Sequence, residues 1–292
     1  MLQGDKLLRE SFSSKFGVIA AAAGSAIGLG NIWRFPYVAG QNGGGAFLII
    51  YLIFIAAIGV PVMMSEFIIG RSAQLNPVGA FRKISPGGRW HLVGLLGVAT
   101  AFIILAFYTV VAGWTLEYLI QTVKWMLFSE SIGFSDMDNP ALRNFFSNHY
   151  QDFTESRWKP ILWFVVMMFF TGYIVISGVK EGIEKYAKVL MPILFFLLLV
   201  LVVRSVTLEG AGEGLVFLFK PDFSQLKETP VKIIIEALGQ AFFSLSIGMG
   251  TLITYGSYIQ KKENLASTAV NVAVADTFIA IVAGMAIFPA VF

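Results

Sequence analysis

Long apolar runs separated by short polar stretches organise this chain. From Phe16 to Ser65 the only charged residue is Arg34. About 20 apolar residues cross the hydrocarbon of a bilayer as a helix, and seven runs reach or approach that length. They are Phe16–Val38, Phe47–Gly70, His91–Val123, Pro160–Val179, Tyr186–Val203, Ile233–Gln260 and Leu265–Phe292. The fifth is short, with fifteen charge-free residues between Lys188 and Arg204, and both flanking cations could snorkel to the interfaces. The third is long enough to require a tilt. The pattern predicts an all-α polytopic membrane protein whose partner is the lipid bilayer.

Composition agrees. The chain is 57% hydrophobic and 13% charged, against about 25% charged in a soluble domain. It has no cysteine and only two histidines, His91 and His149, which leaves little for thiolate or imidazole chemistry. A net charge of +3, dispersed along the chain, gives nucleic acid no basic face to bind. The first fifteen residues are polar and charged, unlike a cleavable signal peptide. Orientation follows from the loops: residues 71–90 hold Arg71, Arg82, Lys83 and Arg89 and no acid. The positive-inside rule therefore puts that loop and the N-terminus in the cytoplasm, in a cell-membrane protein.

Two places violate helical propensity. Gly24, Gly28 and Gly30 fall within seven residues of the first run, and each glycine costs about 1 kcal/mol in a helix interior. Backbone unwound at membrane depth is tolerated only where it is buried in protein or lines a cavity. Ile27-Gly28-Leu29-Gly30-Asn31 is echoed by Ile247-Gly248-Met249-Gly250-Thr251 in the sixth run. The two runs cross in opposite directions, as paired broken helices do around a midplane transport site. The plainer alternative is that Gly-x-Gly pairs serve close helix packing.

Charges at depth are costly and usually functional. Arg34 and Asn31 follow the first break, and Asp276 sits in mid-span with no cation within four residues. Such an aspartate needs a cation or a proton beside it. Glu66 reads as a buried hydrogen-bonding residue, and Glu117 and Glu236 as interfacial ones. An intramembrane enzyme would need a nucleophile with its base or a metal cluster, and no run supplies one. A dinucleotide phosphate loop is excluded because Trp33 stands where a third glycine belongs.

Gly24–Pro36, Asn42-Gly-Gly-Gly-Ala-Phe47, Trp114-Thr-Leu116 and Gly239-Gln-Ala-Phe-Phe-Ser-Leu-Ser246 resemble the neurotransmitter:sodium symporter family, above all its bacterial amino-acid transporters. The resemblance implies an inverted five-helix repeat fold with spans one and six discontinuous. Residues 1–15 would be a cytoplasmic segment, 16–203 the first repeat, 204–232 an external loop and 233–292 the start of the second repeat. The C-terminal part of the fold would then lie beyond Phe292.

In function the resemblance implies sodium-coupled symport of a neutral, hydrophobic or aromatic amino acid by alternating access. A channel or a non-transporting amino-acid sensor on the same scaffold is the alternative. The first sodium would take the Ala26 carbonyl, Asn31, Ser244, Asp276 and the substrate carboxylate. A second would use the carbonyls of Gly24 and Ile27, with further ligands in span eight. The substrate would lie against Ala26, Gly28, Leu29 and Gly30, with its carboxylate at the N–H groups of residues 28–30 and the Tyr108 hydroxyl. Ile104, Phe243, Ser244, Ser246 and Met249 would surround it. Gly28 leaves out the aspartate of monoamine carriers, so the substrate should bring its own carboxylate. Arg9 and Arg34 match the inner and outer gates, whose acidic partners lie in spans eight and ten. Asp276 and Ala280 replace the Asn and Ser of chloride-dependent relatives, which implies no chloride requirement.

Overall fold

The structure is a computed structural model that describes residues 15–128, 133 and 137–292. Arg9 lies outside the described residues. In chain order the first helices are α1 (Lys15–Ala26), α2 (Phe35–Gln41) after a π-helical turn at Gly30–Arg34, and α3 (Gly45–Phe54). A second π-helical turn at Ile55–Gly59 leads into α4 (Val60–Ala73), and α5 (Pro77–Ile84) and α6 (His91–Leu127) follow. Next come α7 (Asn139–Glu155), α8 (Lys159–Ile176) and, after a π-helical turn at Val179–Glu184, α9 (Lys185–Val206). The last five are α10 (Ala211–Phe219), α11 (Ser224–Glu228), α12 (Pro230–Ser244), α13 (Thr251–Gly256) and α14 (Leu265–Val291). Among the described residues the only β pairing is an isolated bridge between Gly44 and Pro221.

Among the described residues five stretches are long and apolar enough to cross a membrane: Gly45–Ala73, His91–Leu127, Lys159–Ile176, Val179–Val206 and Leu265–Val291. The first span is a bent pair, Gly17–Ala26 and Gly30–Gln41, turned by 49°. The sixth is divided into α12 and α13, of 15 and 6 residues. The fifth, short by its charge-free length, runs 28 residues because the helix continues through its charged first turns. There Lys188 reaches Glu184 one turn away at 2.6 Å.

The chain folds as two compact units, one of residues up to Ala101 with Ser177–Phe292, the other Phe102–Ile176. In the first, α14 is the buried centre, with Thr268, Val272, Asp276, Ile279 and Ala283 inward at helical spacing. Small residues let helices close on one another: a Cβ added to Gly256 of α13 would lie 2.8 Å from the Phe67 carbonyl oxygen of α4. Phe35, Phe47 and Tyr51 pack as a fully buried trio, with Phe35 and Tyr51 rings 5.3 Å apart.

In the second unit, His149 of α7 lies edge-on to Trp125 and Tyr118 of α6, at 5.1 and 6.0 Å. Glu117, read as interfacial, is enclosed by its neighbours. It is only 6% exposed, accepting from the Trp163 indole at 2.6 Å and the Gln121 amide at 2.8 Å. A carboxylate can be buried once its oxygens are satisfied, and Trp163 lies 46 residues away in sequence.

Candidate functional site

Both breaks form in the first unit and are held by hydrogen bonds. Helix α1 ends at Ala26, the Gly28 carbonyl accepts from the amides of Asn31 (3.0 Å) and Ile32 (3.2 Å), and the Gly28 amide donates to Asn31 Oδ1 at 3.1 Å. In span six the backbone turns left-handed at Ser246 (φ 55°), Gly248 (φ 86°) and Gly250 (φ 75°). Glycine takes such angles without steric cost, whereas Ser246 is held there, its hydroxyl donating to the Ser25 carbonyl at 3.1 Å. That bond joins one break to the other. The Gly248 amide donates to Glu66 Oε1 at 2.6 Å, so Glu66 is buried and hydrogen-bonded as its sequence setting suggests.

Asn31, Ser244 and Asp276 meet between the breaks, each with no solvent exposure. Asn31 Nδ2 donates to Asp276 Oδ1 at 2.8 Å, to the Asp276 carbonyl at 3.1 Å and to Ser244 Oγ at 3.1 Å. The Ser244 hydroxyl donates to Asp276 Oδ2 at 2.6 Å and accepts from Tyr51 at 3.2 Å. This donor set fits a hard monovalent cation, which prefers carboxylate, hydroxyl and carbonyl oxygen. A half-turn of the Asn31 amide would present Oδ1 instead of Nδ2 to a cation beside Asp276.

Above the break, a Cβ at Gly30 would sit 3.0 Å from the Phe243 ring, so the phenyl packs closely against the chain there. The Gln240 amide donates to the Gly30 carbonyl at 3.1 Å. Arg34 finds partners in span six: its guanidinium donates to Gln240 Oε1, lies 5.1 Å from the centre of the Phe243 ring and pairs with Glu236 at 3.8 Å. The half-exposed Glu236, read as interfacial, is thus an acid for Arg34 within this chain.

The remaining residues are placed as follows. Ala26 and Ile27 are buried, Gly24, Gly28, Leu29 and Met249 half-buried, all in the first unit. Ile104 and Tyr108 are half-buried in the second unit, one turn apart on α6. Sequence reasoning did not join Gly248 to Glu66 or Ser246 to Ser25. The signal for the first was a lone glutamate in an apolar run; the second had none.

A profile of the Sodium:neurotransmitter symporter family matches residues 9–292. The chain belongs to this family. It is 43% identical over 281 residues to the uncharacterized sodium-dependent transporter YhdH of Bacillus subtilis, covering 96% of this chain and 59% of that one. An uncharacterized sodium-dependent transporter of Haemophilus influenzae is 38% identical, with 97% and 61% covered. The mouse sodium-dependent neutral amino acid transporter B(0)AT2 is 29% identical over 96% of this chain and 40% of its own. Among solved structures, MhsT in complex with L-phenylalanine superposes with a TM-score of 0.86 at 50% identity, over 97% of this chain and 62% of MhsT. The symporter-family chain thus spans about three-fifths of the length of these bacterial relatives. It is a multi-pass membrane protein with the all-helical transporter fold, and not an enzyme.

Proposed function

We propose that this chain carries the binding core of a sodium-coupled symporter for a neutral, hydrophobic or aromatic amino acid. The observation that carries the reading is the convergence of Asn31, Ser244 and Asp276 from three spans into one fully buried, oxygen-rich cluster. Placing a carboxylate there without a cation is costly. Sodium beside it would offset that cost, with the Ala26 carbonyl and the substrate carboxylate completing the shell. A second sodium would take the carbonyls of Gly24 and Ile27.

The substrate would lie between the breaks. Its carboxylate would meet the N–H groups of residues 28–30, with Leu29 alongside. Phe243, Ser246 and Met249 would line a mostly apolar side-chain pocket, Met249 adapting to bulky groups. With Gly28 in place of an acid, an amine without a carboxylate would find no counter-charge at that position. The name of MhsT's L-phenylalanine complex and that of the mouse neutral amino acid transporter support this substrate class.

Alternating access would use the two breaks as hinges. Arg34 would guard the outer path and Arg9 the inner one. Residues 16–203 would form the first repeat and 233–292 the start of its inverted mate, joined through the external loop 204–232. The N-terminus would lie in the cytoplasm and the protein in the cell membrane. Asp276 would supply beside sodium the fixed negative charge that chloride supplies elsewhere, and Ala280, fully buried one turn further on, offers an anion no hydroxyl.

The test is uptake of labelled phenylalanine or leucine into proteoliposomes under an inward sodium gradient, with unlabelled competitors. Saturable uptake competed by neutral apolar amino acids is expected. A linear, sodium-independent flux would instead indicate a channel, and binding without flux a sensor. Competition by monoamines or acidic amino acids alone would overturn the pocket.

A further inference from the structure

We infer that the outer face of α5 and the loop joining it to α6 form a binding surface for anionic phospholipid headgroups, set directly beneath the break of span six. It rests on the chain's membrane topology and not on the substrate assigned above.

The segment 71–90 carries Arg71, Arg82, Lys83 and Arg89 with no acid. Two of these cations hold the chain: Arg71 donates to the Glu263 carbonyl at 2.7 Å, and Lys83 to the Ala73 carbonyl at 3.0 Å. Arg82 and Arg89 are exposed and outward-facing. Beside them Ile84 and Trp90 are 52% and 60% exposed. Trp90 immediately precedes the membrane helix α6, which begins at His91, so it stands at headgroup depth, where tryptophan is favoured. Exposed cations suit the negative charge of a phosphodiester. A cationic edge next to exposed apolar side chains suits a molecule that has both a phosphate and acyl chains. A free phosphate would make no use of Ile84 and Trp90.

The opposite face of α5 is locked to the break. Pro77 and Ala80 are buried. A Cβ on Gly250 would fall 2.7 Å from Pro77 Cγ, and one on Gly94 would fall 2.7 Å from the Pro77 carbonyl oxygen. Gly97 also approaches Met249, its Cβ position lying 3.2 Å from the Met249 carbonyl carbon. Helix α5 is therefore a wedge between the start of span three and residues 249–250. Headgroups that fix its outer face steady the left-handed turns at Gly248 and Gly250.

The experiment compares wild type, R82Q/R89Q and R82K/R89K, purified with equimolar phosphatidylglycerol and phosphatidylcholine. Retained lipid is counted by native mass spectrometry, and amide exchange over residues 245–257 is measured in nanodiscs of either lipid. Wild type should favour phosphatidylglycerol by roughly thirtyfold, the scale expected of two cations at an anionic surface. R82Q/R89Q should lose most of that preference, and R82K/R89K should keep most of it. Phosphatidylglycerol should slow exchange at the break in wild type and not in R82Q/R89Q. An unchanged lipid preference in R82Q/R89Q overturns the site, as does an equal loss in R82K/R89K. Exchange at the break that ignores lipid composition overturns the coupling. No transport is measured, so these outcomes are separate from the fate of the symport reading.

Discussion

Asp276→Asn removes one charge from the buried cluster while keeping its shape. The substituted amide can still accept from Asn31 through its oxygen and can donate to Ser244 Oγ, so the contacts now at 2.8 and 2.6 Å keep a partner. The fold should survive with a loss of about 1–3 kcal/mol, the scale for one altered buried hydrogen bond. Cation binding should suffer more. A unit charge about 4 Å from a monovalent ion contributes about 4 kcal/mol at an effective dielectric of about 20, taken as an upper bound. Since about 1.4 kcal/mol is tenfold in affinity, half-saturating sodium should rise by roughly a hundredfold, up to about a thousandfold. Sodium titrations of amino-acid uptake, run in chloride and in gluconate, check this. The wild type should give the same curve in both salts. The variant should be weak in gluconate and partly restored by chloride, which returns a mobile negative charge to the place of the fixed one. A sodium curve shifted less than about threefold would refute the assignment of Asp276 as a ligand, given that scale of interaction. Loss of wild-type uptake in gluconate would refute chloride independence.

Other outcomes follow from the same geometry. Glu66→Ala leaves the Gly248 amide without its acceptor and should lower stability by about 1–3 kcal/mol; Glu66→Gln, which keeps an oxygen there, should cost less, both read by thermal unfolding in detergent. Gly256→Ala drives a methyl to within 2.9 Å of Phe67 backbone atoms that cannot yield, so overpacking should cost about 1–3 kcal/mol in the same assay. Glu236→Gln should change stability by under about 1 kcal/mol, because its pair with Arg34 is long and half-exposed, and Gln240 still holds the arginine. Replacing sodium by choline should remove thermal protection of roughly 2.7 kcal/mol, the amount expected where sodium stands at about a hundred times its dissociation constant; equal melting in the two salts would count against a built sodium site.

The sequence by itself determined what depends on local chemistry. Apolar run lengths marked the membrane helices because hydrocarbon thickness sets a residue count. The breaks were legible because Gly28, Gly30, Gly248 and Gly250 weaken a helix wherever they stand. Asp276 stood out because no neighbouring residue could neutralise it, and the family resemblance supplied Asn31 and Ser244 as companions. Tertiary structure decided what depends on distance through space. It brought Asn31 to Ser244 across 213 positions and to Asp276 across 245, buried Glu117 by giving it Trp163, and turned Glu236 toward Arg34. It also carried the fifth span past the charges that bound its apolar run, because Glu184 and Lys188 satisfy one another on adjacent turns. A side chain's cost at membrane depth can be read from its type; the group that relieves that cost is chosen by helix packing, which no local pattern records.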